Sequence, residues 1–216
     1  MRARHVLLGV VALAALGAAG AYGLGAWQGE PAAPRAIRTA LGPQSLTFSS
    51  AYLRPGSRDG GAQERVELGA FFPDFTPAGS VSDVNAATKL DERFERTIFI
   101  SIRAADASLD PAERVARLYA RFLDPVAWTH PGGLVARAFQ PGSPFEADEL
   151  FFRGPEGRDF AARCPKPDQS RKTPSTCIAQ FRQAGLDVEY RFSAMLLAEW
   201  EKLAAGVRGM VEAARR

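Results

Sequence analysis

The sequence predicts an α+β domain behind a single N-terminal transmembrane helix. The domain is expected to be mainly antiparallel sheet, about eight strands, with one internal helix and a long C-terminal helix. Three observations predict this. Residues 6–29 carry no charge. Short segments with apolar residues at every second position recur between residues 45 and 192. Residues 110–122 and 193–216 instead place apolar residues three and four apart, the spacing of a helix face.

The uncharged run comes first. A helix rises about 1.5 Å per residue, so residues 6–27 span roughly 33 Å, enough for the hydrocarbon core of a bilayer. Arg2 and Arg4 precede it, which assigns residues 1–5 to the cytoplasm and the rest to the far side. Trp27 suits the headgroup layer. Gly17, Ala21 and Gly25 share one helix face, where small residues let a second transmembrane helix approach closely. An export signal is the alternative: a basic start, an apolar stretch over 6–16, and Ala19-Gly20-Ala21 before Tyr22. The run continues uncharged past Ala21 to Gly29, which favours an uncleaved anchor. No cysteine lies near it, so a lipid-modified cysteine is excluded.

Composition narrows the rest. The chain has 216 residues, 46% hydrophobic and 24% charged, which suits one globular exported domain. Of 27 Lys+Arg, Arg2 and Arg4 precede the anchor, leaving 25 against 24 Asp+Glu. So balanced a domain has no electrostatic footprint for nucleic acid. The basic residues are arginines except Lys89, Lys166, Lys172 and Lys202; with abundant Ala and Gly, this is the bias of a GC-rich bacterial genome. The inner membrane and the periplasm are therefore the expected location. Cys164 and Cys177, the only cysteines, read as one disulfide in that oxidising compartment.

Residues 28–44 hold Pro31, Pro34, Arg35 and Arg38 and read as a linker, which places the domain at 45–216. A weakly patterned strand over 45–53 is expected to form a hairpin with 64–72, where Val66, Leu68, Ala70 and Phe72 share one face. Pro73, Pro77 and Gly79 break the next stretch, and Ser82 caps a short helix reaching Lys89. Ile98, Ile100 and Ile102 mark a strand over 97–103. Asp110-Pro111-Ala112-Glu113 is a helix start with N-cap, first-turn proline and capping-box carboxylate. Val115, Leu118, Tyr119 and Phe122 follow as its apolar stripe, with Arg114, Arg117 and Arg121 on a solvated side. Residues 125–133, with Trp128 and His130, read as a loop. Strands are expected over 134–139, 149–153, 158–164, 176–182 and 186–192, the last four as a meander. Cys164 and Cys177 then stand opposite each other on neighbouring strands. Leu196, Trp200, Leu203, Val207 and Met210 form the seam of the terminal helix.

Chemical motifs are missing. There is no G-x-S-x-G elbow, H-E-x-x-H, Walker loop or G-x-G-x-x-G. The histidines are His5, on the cytoplasmic side, and His130, in a turn-like context. Glu146, Asp148 and Glu149 lack EF-hand spacing and read as a solvated acidic loop. No catalytic, cofactor or metal site is expected. Phe71-Phe72 and Phe151-Phe152 are adjacent on strands, so one of each pair leaves the core unless both faces are covered. These four are the interface candidates. The expected function is that of a non-enzymatic envelope protein engaging another envelope protein as an accessory or structural subunit. The alternative is a periplasmic ligand-binding domain with a cleaved signal peptide.

Overall fold

Ile98, Ile100 and Ile102 alternate with Phe99, Ser101 and Arg103, so the strand that carries them has one face suited to a core and one that is mixed. That strand, Thr97–Ala104, sits inside a nine-stranded antiparallel sheet. The computed structural model describes residues 33–78, 93–167 and 176–216, and a compact unit spans Arg35–Arg216. The expected anchor over 6–27, with Gly17, Ala21 and Gly25, and the expected short helix over 82–89 lie outside the described residues. Among the described residues no helix is long and apolar enough to cross a membrane.

Among the described residues twelve strands form two sheets, where about eight are expected. They are β1 (Ala36–Leu41), β2 (Gln44–Ser49), β3 (Gly61–Ala62), β4 (Arg65–Phe71), β5 (Thr76–Pro77) and β6 (Thr97–Ala104). After them come β7 (Leu123–His130), β8 (Leu134–Phe139), β9 (Asp148–Arg153), β10 (Phe160–Pro165), β11 (Thr176–Gln183) and β12 (Leu186–Ser193). The large sheet runs β5-β4-β6-β12-β11-β10-β9-β8-β7, and the small one β2-β1-β3. The expected meander is present and longer, from β7 to β12. It joins the first half of the chain where β12 pairs with β6.

Three local expectations are corrected. Residues 36–41, assigned to the linker, form β1, which buries Ile37, Thr39 and Leu41 and pairs with β2. The hairpin of 45–53 with 64–72 is therefore replaced by β1–β2, and only an isolated bridge links Leu53 to Leu68. Residues 125–133 are largely strand: β7 is an edge of the sheet, with a register shift between Leu123 and Ala127. Its pattern is illegible because an edge strand buries little; Val126 is 66% exposed. Pro125 is tolerated there because an edge leaves one row of amides unpaired.

The long C-terminal helix is present. Ser193 accepts from the Met195 amide at 3.3 Å and caps the 3₁₀ run Ala194–Glu199, which leads into α1 (Trp200–Ala214). Leu196, Trp200, Leu203 and Val207 are buried, and Met210 packs at the margin. They cover one sheet face made of Val66, Leu68, the three isoleucines, and Leu186, Val188, Tyr190 and Phe192. Burying each large side chain contributes about 1.5–3 kcal/mol. The Trp200 indole donates to the Gly132 carbonyl at 2.9 Å and packs on Phe160, pinning the helix start to the β7–β8 turn. Cys164 and Cys177 are bonded within the same core, their Cα atoms 4.1 Å apart.

The other face is covered only in part. Asp110 accepts from the Ala112 amide at 2.9 Å, as an N-cap should. Glu113, however, pairs with Arg117 at 2.8 Å. The helix then winds irregularly, with the Ala120 amide reaching back five residues to the Val115 carbonyl. This helical segment, 111–122, seals a second cluster around Val115, Leu123, Phe139 and Leu150. Among the described residues, nothing comparable covers the same face where β4, β6 and β12 lie side by side, and β11 meets only the start of the helical segment.

Candidate functional site

Strand register decides what stands on that uncovered area. Arg65 faces Arg103 across β4–β6, Arg103 faces Asp187 on β12, and Asp187 faces Arg182 on β11. The next row is Glu67, Ser101, Glu189 and Gln180, and the next Gly69, Phe99, Arg191 and Ile178. These are the outward positions of four alternating strands, brought together by pairing.

The rows are tied by ion pairs and hydrogen bonds. Asp187 accepts from Arg182 at 2.6 and 3.0 Å and lies 3.6 Å from Arg103. The hydrogen bond to Asp187 raises the pKa of the Arg182 guanidinium above its ordinary value. Glu67 accepts from the Ser101 hydroxyl at 3.1 Å and sits near Arg65 and Arg54. Glu189 accepts from Gln180 at 2.7 Å and from Arg191 at 3.1 Å. Arg114, from the helical segment, donates to Gln180 and bridges segment to sheet. Beyond the first row, the Ser108 hydroxyl and amide hold Asp106 below the usual carboxylate range.

A cleft opens on each side of the Arg114–Gln180 bridge. One, about 170 Å³, has Arg65, Ser101 and Arg103 in its wall; the other, about 330 Å³, has Tyr119, Arg163 and Arg191. Two further clefts, unlike these, are mainly apolar. One of about 230 Å³ lies at Phe71, Phe94 and Phe99, and one of about 170 Å³ between β2 and α1. Both are smaller than the roughly 300–1,000 Å³ usual for small-molecule sites.

The interface candidates are dispersed. Phe72 and Phe151 are 5% and 6% exposed and belong to the main core. Phe152 packs against the second cluster, because the helical segment covers the opposite face at that point. Phe71 is partly exposed beneath the Arg93 guanidinium, 5.3 Å from its ring centre. The acidic trio separates too: Glu146 accepts from the Gly142 amide at 2.6 Å, and Asp148 pairs with Arg163 at 2.8 Å. His130 has Nδ1 3.0 Å from the Pro131 carbonyl oxygen and its ring on Phe151. Arg65, Ser101, Arg103, Gln180, Asp187, Glu189 and Arg191 were not singled out as a site. The available signal was weak: each occupies the polar phase of an alternating strand.

This fold has been seen before. The chain is similar to the immunity protein Smlt3025 of the Stenotrophomonas maltophilia type IV secretion system, with TM-score 0.57 and 17% identity, covering 84% of this chain and 93% of that one. It is also similar to the iron-regulated outer membrane lipoprotein FrpD of Neisseria meningitidis, with TM-score 0.50 and 14% identity, covering 84% and 92%. At such identities the likeness is one of fold. No protein-family profile and no curated protein sequence matches the chain.

Proposed function

We propose that this chain is a non-enzymatic protein-binding component of the bacterial envelope. Residues 6–27 hold it in the inner membrane, and the periplasmic domain engages another envelope protein. The observation that carries the reading is the open sheet face, where arginines and carboxylates from four strands are held in fixed rows. Guanidinium groups on a rigid support give directional contacts, a means of choosing a protein partner. The face's carboxylates, Asp187, Glu67 and Glu189, are each engaged by a neighbouring side chain rather than poised around a reactive centre, which favours binding over catalysis. The likeness in fold to an immunity protein of a type IV secretion system is compatible with a protein-binding role.

The test is co-purification from native membranes in mild detergent, with full-length protein tagged after Arg216 and partners identified by mass spectrometry. The expected result is a near-stoichiometric envelope protein and an intact residue 1–21 segment. Replacing Gly17→Leu together with Gly25→Leu should reduce recovery of a membrane partner while the domain stays folded; unchanged recovery would remove the anchor's role. No partner, with a mature start near Tyr22, would overturn the proposal in favour of the ligand-binding alternative.

A further inference from the structure

The open face is close to neutral in composition, yet its charges are layered by depth. Side-chain exposure is 7% for Asp187, 30% for Glu67 and 31% for Glu189. It is 45% for Arg103, 52% for Arg191 and 61% for Arg65. Arg182, at 23%, lies low beside Asp187, which it holds. The other three guanidinium groups stand above the carboxylates, so an approaching molecule meets positive charge first. Arg65 and Arg103 also stand directly opposite each other on paired strands, a like-charge repulsion that Glu67 and Asp187 at 3.6 Å and Asp106 at 4.0 Å offset only in part, the pairs being long and their guanidinium groups exposed. A carboxylate placed between them would relieve it. The two clefts run in series beside the helical segment and meet at Arg114 and Gln180. Clefts of about 170 and 330 Å³ hold side chains one or two at a time, not a helix about 10 Å across.

We infer that this trough, between the helical segment 111–122 and the open sheet face, seats an extended acidic segment of the partner protein. The inference rests on the protein-binding reading above. Carboxylates of the segment engage Arg65 and Arg103 in one cleft and Arg191 in the other, with Arg114 between them. Arg103 and Arg191 are suitable positions to test, because Asp187 keeps Arg182 and Glu189 keeps Gln180 when they are replaced.

The experiment titrates fluorescein-labelled hexaglutamate with the full-length protein in non-ionic detergent, read by anisotropy, with hexaglutamine as the neutral control. Hexaglutamate should bind saturably, hexaglutamine should not, and affinity should fall about tenfold between about 50 and about 300 mM salt. The Arg103→Gln, Arg191→Gln double variant should bind roughly tenfold more weakly, whereas Arg121→Gln, on the solvated side of the segment, should match the wild type. Circular dichroism of the double variant checks its fold. Failure of hexaglutamate to bind, or equal binding by the double variant, overturns the trough. Co-purification of the double variant keeps the two ideas apart. A partner lost from it supports the trough. A partner retained overturns the trough and leaves the protein-binding reading standing. No partner with the wild type overturns that reading itself.

Discussion

Reducing the Cys164–Cys177 bond should destabilise the domain by about 3 kcal/mol. The cysteines are 13 residues apart, and cross-linking a loop of that size removes about 3 kcal/mol of chain entropy from the unfolded state. The thiols themselves should add little to the loss. Cys164 and Cys177 are 2% and 0% exposed among apolar neighbours, a setting that free cysteine tolerates. Their burial also shields the bond, so the reduced protein is best prepared by unfolding in reductant and refolding with reductant present. For a domain of this size the urea slope is roughly 2 kcal/mol per molar, which places the shift in midpoint near 1.5 M. The thermal midpoint should fall by roughly 6–12 °C. Far-UV circular dichroism with and without reductant reads both, and mass after alkylation counts the thiols. Two free thiols in the native protein, alkylated without reductant, would remove the bond altogether. With the bond shown broken, a shift below about 0.3 M would refute the entropic argument, because β10–β11 pairing would then restrain the loop unaided.

Other perturbations test the core and its charge state. Burial pushes the Tyr190 phenol well above its usual range, so the folded protein keeps a proton that the unfolded chain releases above about pH 10. Stability is therefore intact below about pH 10 and falls as pH rises beyond it, by up to about 1.4 kcal/mol per unit from this group. Tyr190→Phe should flatten that decline in urea midpoints between about pH 10 and 11; an unchanged slope would contradict it. Gly206 leaves room on α1 for the Phe75 ring, which a Cβ would strike. Gly206→Ala should lose roughly 1–2 kcal/mol, crowding outweighing the gain in helix propensity, yet gain about 0.5–1 kcal/mol in a Phe75→Ala background. Additive effects of the two changes would sink this explanation. Leu203→Ala, at a position with no exposure, should cost about 2–5 kcal/mol by urea unfolding. Met195→Ala, at 70% exposure, should stay within about 0.5 kcal/mol. Similar losses at both positions would argue against this seating of α1.

The four suggested interface phenylalanines show how far local pattern carries. Adjacency on a strand says correctly that Phe71 and Phe72, or Phe151 and Phe152, point to opposite faces. It does not say which faces are covered. The helical segment 111–122 shields the area around Phe152, whereas Phe71 lies beyond its reach, under Arg93. The edge strand β7 is illegible in the sequence for a related reason: alternation records burial, and this strand has little of it.

Local pattern is enough to read the inward faces of β4, β6 and β12, the apolar seam of the C-terminal helix and the pairing of the two cysteines. Each depends on residues close in the chain or on simple parity. That β6 lies beside β12, and that the helical segment covers one end of the sheet, emerges from the folded chain. The fold alone set the rows that put Arg65, Arg103, Asp187 and Arg182 in line. The physical reason is the period of a strand. Sliding one strand by two residues keeps every side chain on its own face, so alternation is blind to register, yet it gives every charge a new neighbour.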